Sequence, residues 1–353
     1  MPRTRPAGPA PATAPQNQGI LMGRIVVITT GGTIAARPRG HGHASAAPGR
    51  EVVAAVDIPP AVQVEVLDLC VLDSPLITTA HQVRLLHTIH DLFARRDVEG
   101  IVVTHGTDTL EETALLADLH HHDRRPVVFT GAQRPPGEER PDGPGNLRDA
   151  LLTASAVSGV GTLVVFGGKI YPARDTVKSH TLALDAFAHP AGPVGEVRAD
   201  TVLLHARPVR PSPLPTPSWT LPRRPLRVDM VMHHCDADPA LLRAAVEEGA
   251  QGVVLVATGA GNATPRFAEA VAEATGRGVL VALTTRVPGG PVAELYTNGG
   301  AVDLVRSGAV PAGTLRAGQT RAAVLAALLA TDEPGERARL LHRATASSAP
   351  LAA

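Results

Sequence analysis

The sequence predicts an α/β protein: a larger N-terminal domain with a doubly wound, mostly parallel sheet, plus a smaller C-terminal α/β domain. Three observations carry that expectation. Short apolar runs rich in Val and Ile alternate with stretches whose apolar residues recur at helical spacing, the pattern of βαβ units with strands covered on both faces. The chain has 353 residues, about twice the roughly 150 of a typical domain. One proline-rich stretch interrupts the alternation and divides the chain unequally.

Residues 1–22 are dominated by Pro, Ala and Gln and are expected to be a disordered tail. The N-terminal domain, 23–206, opens on Arg24–Thr30, a near-continuous apolar run expected of a central parallel strand. Further strands are predicted at Val64–Leu69, Gly100–Thr104, Pro126–Thr130 and Thr162–Phe166. Helices are predicted at Thr79–Arg96, where Val83, Leu86, Ile89 and Phe93 share a face, at Thr109–His121 and at Asn146–Ser158. Residues 207–225 hold Pro208, Pro211, Pro213, Pro215, Pro217, Pro222 and Pro225, which predicts an extended, semi-rigid linker. In the C-terminal domain, 226–345, strands are expected at Arg227–Met232, Gly252–Ala257 and Val279–Thr284. Its helices are expected at Pro239–Glu248, Pro265–Thr275 and Thr320–Leu329, and 346–353 is a second tail.

Composition excludes several functions. Lys plus Arg and Asp plus Glu number 33 each, for zero formal charge, and the aromatics total eight. A nucleic-acid binder needs a basic footprint and stacking rings, and this chain has neither. Two cysteines, Cys70 and Cys235, cannot build a disulfide framework or a four-thiolate zinc site. No apolar run approaches the roughly 20 residues of a membrane helix, and the N-terminal segment lacks a signal-peptide core. The chain therefore reads as cytoplasmic, without membrane contact, and Met22, two residues before the first strand, is a second candidate start. The basic set is lopsided, with 31 Arg against only Lys169 and Lys178.

In open parallel sheets, ligands lie beyond the carboxyl ends of the strands, and three motifs fall there. TTGGTIA (29–35) follows the first strand, and its glycines let backbone approach a ligand while Thr33 presents a hydroxyl. THGTDTLEETA (104–114) places Thr107 and Asp108 where strand turns into helix. Capping-box spacing of Asp108 with Glu111, or Thr109 with Glu112, could account for one such pair, but not for a second hydroxyl-rich strand end beside the first. FGGKIYPARDTVKSHT (166–181) carries both lysines. A partly buried lysine can lose its proton and arginine cannot, so a lysine retained in so arginine-rich a chain suits a proton-sharing amine. The residues leave Lys169 and Lys178 both open for that role. Two threonines, a carboxylate and a lysine suit nucleophilic acyl transfer, with glycine-rich backbone as donors to a developing oxyanion.

In these motifs the chain resembles the bacterial-type L-asparaginase family. The matching pieces are TTGGTIA, Asp73–Ser74 in LDSPLIT, THGTDTLEETA, TGAQRP with DGPGNLRDA (130–150), RDTVK (174–178) and TTRVPGG (284–290). They run in consistent order from about Arg24 to about Leu329. The resemblance implies hydrolysis of L-asparagine to L-aspartate and ammonia, with Thr33 as nucleophile forming a β-aspartyl ester. It assigns Thr107, Asp108 and Lys178 to proton transfer, which selects Lys178 over Lys169. It gives Ser74 and Asp108 the α-carboxylate and α-amino group of the substrate. It implies no cofactor or metal, and a homotetramer (or homodimer) with sites near subunit boundaries.

The chain departs from the family in three places. Ala35–Ala61, expected to be a flexible lid, has no tyrosine, although well-known members carry one there. Pro75 follows the substrate serine where many have glutamine. GAGNAT (259–264) puts Thr264 in place of an asparagine, and Glu294 is only loosely aligned with the acidic residue that relatives lend to a neighbouring subunit. The alternative readings are a glutaminase, an amidotransferase-like subunit, a non-catalytic amino-acid sensor and a nucleotide-binding regulator. Zero net charge disfavours an RNA-dependent amidotransferase. A sensor needs no lysine base, and neither GxGxxG nor GK[ST] is present for a nucleotide. His120–His122 are expected as cationic side chains suited to helix-end carbonyls. His233, His234, Cys235 and Asp236 are expected to pack a loop, and His105 to shape the HGTDT turn.

Overall fold

The structure, a computed structural model, describes residues 23–60, 62–217, 219 and 226–346; the predicted tail 1–22, most of the tail 346–353, and 218 and 220–225 of the linker lie outside them. The chain begins with β1 (Arg24–Gly31), the hairpin β2 (Ala36–Arg39) and β3 (Gly42–Ser45), and α1 (Gly49–Ala54). It continues through β4 (Gln63–Leu72), α2 (Thr79–Ala94), β5 (Val98–Thr104), α3 (Leu110–His120), β6 (Val127–Thr130), α4 (Gly143–Ala156) and β7 (Thr162–Phe166). Five short strands follow: β8 (Lys169–Pro172), β9 (Val177–Lys178), β10 (Phe187–Ala188), β11 (Gly195–Arg198) and β12 (Thr201–Leu204). The C-terminal domain comprises β13 (Val228–Met232), α5 (Ala240–Glu247), β14 (Gly252–Ala257), α6 (Pro265–Gly276), β15 (Leu280–Thr285), α7 (Ala301–Arg306), β16 (Val310–Pro311), α8 (Ala317–Ala330) and α9 (Pro334–Thr345).

The first sheet runs β12-β11-β8-β7-β6-β5-β1-β4. β4, β1, β5, β6 and β7 are parallel neighbours, and β8, β11 and β12 extend the β7 edge antiparallel. Among its parallel strands the chain order reads 2-1-3-4-5, so the direction of winding reverses between β1 and β5, the switch point where open sheets bind ligands. The predicted doubly wound sheet is thus observed. The parallel strands form because their β-branched residues are covered on both faces: Ile25–Ile28, Ile101–Val103 and Leu163–Val165 are all buried. The second sheet, β13-β14-β15-β16, is wholly parallel.

Helix α3 packs against β6 and β7 on one side and α8 on the other, and α8 lies on β13–β15. One apolar cluster therefore spans both domains, from Leu110, Ala114 and Leu115 to Ala322, Ala323 and Ala326. Both helices are buried nearly all round, and the alanines of α8 let the two approach closely.

Several expectations need correction or refinement. Residues 207–217 of the expected semi-rigid linker are also fastened to the N-terminal domain: Leu214 is buried, its N–H donates to Leu119 O at 2.7 Å, and Arg210 pairs with Asp118. His120 is not a cationic cap. His120 and His122 bond the linker carbonyls of Pro215 and Leu214, and burial pushes His120 down to about 4, so it is neutral. The segment after the first motif folds as a hairpin and a short helix, latched by Ala46 N–H and Ala47 N–H donating to Ala35 O. Sequence periodicity misses β2, β3, α1, β8–β12, α7, β16 and α9, which are short, polar or both, and owe their form to pairing rather than pattern. His233 packs edge-on to Phe267, whereas His234 and Cys235 are exposed.

Candidate active site

Register brings the motifs together. Thr29 of β1 pairs with Thr104 of β5, Thr104 with Thr130 of β6, and Gly31 with Leu72 of β4. β4 runs past its predicted end at Leu69 to Leu72, across a register shift between Thr29 and Gly31. That extension carries Asp73–Ser74 alongside the Thr33 loop. All these strands point their carboxyl ends at one place, so residues 31–33, 73–74 and 105–109 form one cluster.

Thr33 opens a 3-10 turn, Thr33–Ala35, directly after Gly31 and Gly32, whose φ values are +104° and +83°. Only glycine adopts these angles without strain. A Cβ on Gly32 would lie 2.4 Å from Gly106 Cα, and one on Gly106 would lie 2.7 Å from Ser74 Cβ. The glycines let three loops touch through their backbones. Thr33 is half-buried and, among the described residues, its hydroxyl takes no hydrogen-bond partner. Gly32 N–H is already committed, donating to Leu72 O at 2.9 Å and Ser45 Oγ at 2.7 Å. Ser45 Oγ in turn donates to Asp73 Oδ1 at 2.7 Å, so the end of the β2–β3 hairpin is tied to both loops.

Lys178 Nζ donates to Thr107 Oγ1 at 2.8 Å and to Asp108 Oδ1 at 2.7 Å. Thr107 Oγ1 donates to Gln133 Oε1 at 3.1 Å. The Gln133 amide is oriented by Nε2, which donates to Thr181 O and Ala183 O at 3.0 and 3.2 Å. Lys178 Nζ therefore bridges the Thr107 hydroxyl and the Asp108 carboxylate. Lys178 is mostly covered, with 16% side-chain exposure, whereas the Asp108 side chain is 59% exposed and free to meet a ligand.

Ser74 Oγ accepts from Asp108 N–H at 3.3 Å, and Ser74 O accepts from Thr109 Oγ1 at 3.0 Å. The Thr109 hydroxyl is thereby used, and no side chain caps α3, so neither predicted capping box forms. Buried His105 bonds Gly106 O and is pushed down to about 4 by burial; it shapes the turn as a neutral ring. Lys169 lies on β8, 4.0 Å from Asp185, outside the cluster. Pro75 sits in the 3-10 turn Ser74–Leu76, Thr264 precedes α6, and Glu294 is exposed on the C-terminal domain.

The structure thus joins Thr107, Asp108 and Lys178 directly, with Ser74 bonded to Asp108 and Thr33 on the adjoining loop. Sequence reasoning missed Gln133 and Ser45. Gln133 follows β6, so the strand-end criterion could have found it; Ser45 carries no local signal. Among the described residues, no three His, Cys, Asp or Glu side chains are placed to hold a metal ion. None of the described helices is long and apolar enough to cross a membrane. The group can deliver a hydroxyl nucleophile, a polarised second hydroxyl, and a carboxylate for a cationic ligand group.

Comparison with known proteins agrees. Residues 24–210 match the family described as "Asparaginase, N-terminal", and residues 227–341 match the "Glutaminase/Asparaginase C-terminal domain". The chain is 37% identical to the L-asparaginase of Bacillus licheniformis over 297 residues, 81% of this chain and 89% of that one. It is 39% identical to a probable L-asparaginase of Deinococcus radiodurans over 317 residues, 86% and 92% of the two chains. A probable cytoplasmic L-asparaginase from Campylobacter jejuni superposes with TM-score 0.80 at 27% identity, covering 91% of this chain and 99% of that chain. The chain belongs to the asparaginase family.

Proposed function

We propose that this protein is an L-asparaginase, which hydrolyses the side-chain amide of L-asparagine to give L-aspartate and ammonia. The observation that carries the reading is the Lys178–Thr107–Asp108 cluster at the β1/β5 switch point, one backbone contact from Thr33. In this reading Thr33 Oγ attacks the amide carbon and its proton passes through the Thr107–Lys178 pair. The C–N bond breaks, ammonia leaves with that proton, and a β-aspartyl ester remains on Thr33. Water then cleaves the ester and restores the hydroxyl. Gly32 N–H is occupied, so donors to the oxyanion come from the main chain beyond it.

Exposed Asp108 suits the substrate's α-ammonium, and Ser74 its α-carboxylate. Without a lid tyrosine, activation of Thr33 falls to the Lys178 network. The same reading expects a homotetramer in the cytoplasm, supported by the family resemblance and by exposed Leu182, Leu295 and Tyr296.

Ammonia release from asparagine and glutamine tests it. Asparagine is the preferred substrate, and Thr33→Ala and Lys178→Met each lose about 10³-fold or more. Wild type that releases no ammonia from either amino acid, or Thr33→Ala that keeps most of the activity, ends the reading.

A further inference from the structure

Lys178 sits in a segment with little structure of its own: β9 is only two residues long, and Asp175 just before it holds a left-handed φ of +62°. Something outside the segment must fix where the lysine points. The strongest contacts come from the C-terminal domain. Gln319, in the first turn of α8 and fully buried, accepts from Asp175 N–H at 2.8 Å. Its Nε2 donates to Ala173 O at 2.8 Å and to Thr176 O at 2.9 Å. One side chain thus satisfies three main-chain groups of the turn that leads into Lys178. Thr314 Oγ1 adds a bond to Asp175 Oδ1 at 2.8 Å, and Arg174 donates to Ala344 O and Ala346 O at the end of α9.

From the other side, Glu111 on α3 accepts the main-chain N–H of Lys178 at 2.6 Å. A Cβ on Gly318, beside Gln319, would lie 3.2 Å from Glu111 Oε1, so the first turn of α8 backs this carboxyl. Its neighbour Glu112 pairs with Arg321 of α8 at 3.2 Å. The same helix end therefore supports both residues that grip the 173–178 segment.

We propose that Gln319 and Glu111 are positioning residues that clamp the main chain of residues 173–178 and set Lys178 Nζ between Thr107 and Asp108. On this view the second domain is a working part of the site. The proposal rests on the reading of Lys178 as the proton-transfer lysine only for its effect on turnover. The position of the lysine can be read without it.

The chain holds just two lysines, so protein labelled with [ε-13C]lysine gives two signals, with Lys169 as internal control. We expect Gln319→Leu and Glu111→Ala to move the Lys178 signal toward that of a solvent-exposed lysine while the Lys169 signal stays put. In the same variants kcat for asparagine falls about tenfold or more, and KM changes less. Glu111→Gln keeps an acceptor oxygen and restores most of both. The proposal is overturned if the Lys178 signal stays at its wild-type position in Gln319→Leu and Glu111→Ala, or if Glu111→Gln behaves no better than alanine. Because the signal needs no turnover, the clamp and the asparaginase reading can fail separately.

Discussion

The two sheets of this protein are built alike, and only one of them makes a site. Both place parallel, β-branched strands under Gly- and Thr-rich loops. In the C-terminal sheet those threonines are spent on main chain: Thr258 bonds Asn262 O, Thr284 bonds Leu315 O, and Thr285 bonds Gly259 O. In the N-terminal sheet two strand threonines are used in the same way, Thr30 on Thr104 O and Thr130 on Val165 O, while Thr29 bonds the Asp68 carboxylate. Its difference lies a few residues later, in the loops. There Thr107 faces a lysine and a glutamine, and Thr33 sits on a glycine turn pressed against the neighbouring loop. What separates Thr107 from Thr258, each just past a strand end, is the partner: Thr107 meets side chains, whereas Thr258 closes its own turn.

One substitution made in both sheets sharpens that contrast. Thr107→Val removes a hydroxyl from the proposed proton-transfer chain, and kcat/KM for asparagine is expected to fall by about 10²–10⁴-fold. Thr284→Val removes a buried hydroxyl and leaves Leu315 O with only the longer bond from Thr320 Oγ1, at 3.2 Å. That should cost about 0.5–1.5 kcal/mol of stability and leave kcat unchanged. Urea unfolding and ammonia release on the two variants decide it. Equal losses of activity would mean that the C-terminal threonines belong to the site.

Glycine gives a smaller version of the same test. Gly32 and Gly278, which precedes β15, have similar φ values of +83° and +81°. A Cβ on Gly32 meets Gly106 Cα at 2.4 Å, whereas one on Gly278 meets nothing within 4 Å. Both alanine variants carry the left-handed penalty of about 1–2 kcal/mol, but only Gly32→Ala should displace the Thr33 loop and lower kcat/KM, by about 100-fold. Similar activities in the two would show that the loop contact at Gly106 is slack.

What the sequence reveals follows from these physical differences. Strands β7 and β14 are legible to the residue, because uninterrupted apolar runs mark strands covered on both faces. Thr33, Thr107 and Asp108 can be singled out because they stand in distinctive motifs at strand ends, whereas the choice of Lys178 over Lys169 rests on the family resemblance alone. Gln319 is not: it lies in an apolar helix as a single glutamine, and its partners are main-chain atoms about 145 residues away. Ser45 is hidden in the same way, inside a polar hairpin that only pairing defines. Nor could composition show that the proline-rich stretch, at least over 207–217, is fastened to α3 by Leu214 and Arg210.

The smallest expected effect lies in proton uptake, and there too the two domains differ. Four groups shifted chiefly by burial, two of them only partly buried, lie in the described part of the N-terminal domain. Burial lowers His105 and His120 from 6.5 to about 4, and raises Glu111 from 4.5 to about 7 and Asp149 from 3.8 to about 6. For the histidines the unfolded chain binds the extra proton, so their contribution to stability is lost as pH falls from 6.5 to about 4. For the carboxyls the folded chain holds the proton, so stability is lost as pH rises from about 4.5 through 6 to 7. Between roughly pH 4.5 and 6 the two pairs oppose each other, and wild type should unfold at nearly the same urea concentration at either end. Glu111→Gln removes one carboxyl from the balance and leaves the histidines in excess. Its stability relative to wild type should rise by about 2 kcal/mol from pH 5 to 6.5, since each unmatched proton is worth about 1.4 kcal/mol per pH unit. A variant whose midpoints track wild type at both pH values would show that Glu111 is already ionised in the folded protein at pH 5. The carboxyl under Lys178 would then be better solvated than its burial between α3 and the first turn of α8 implies.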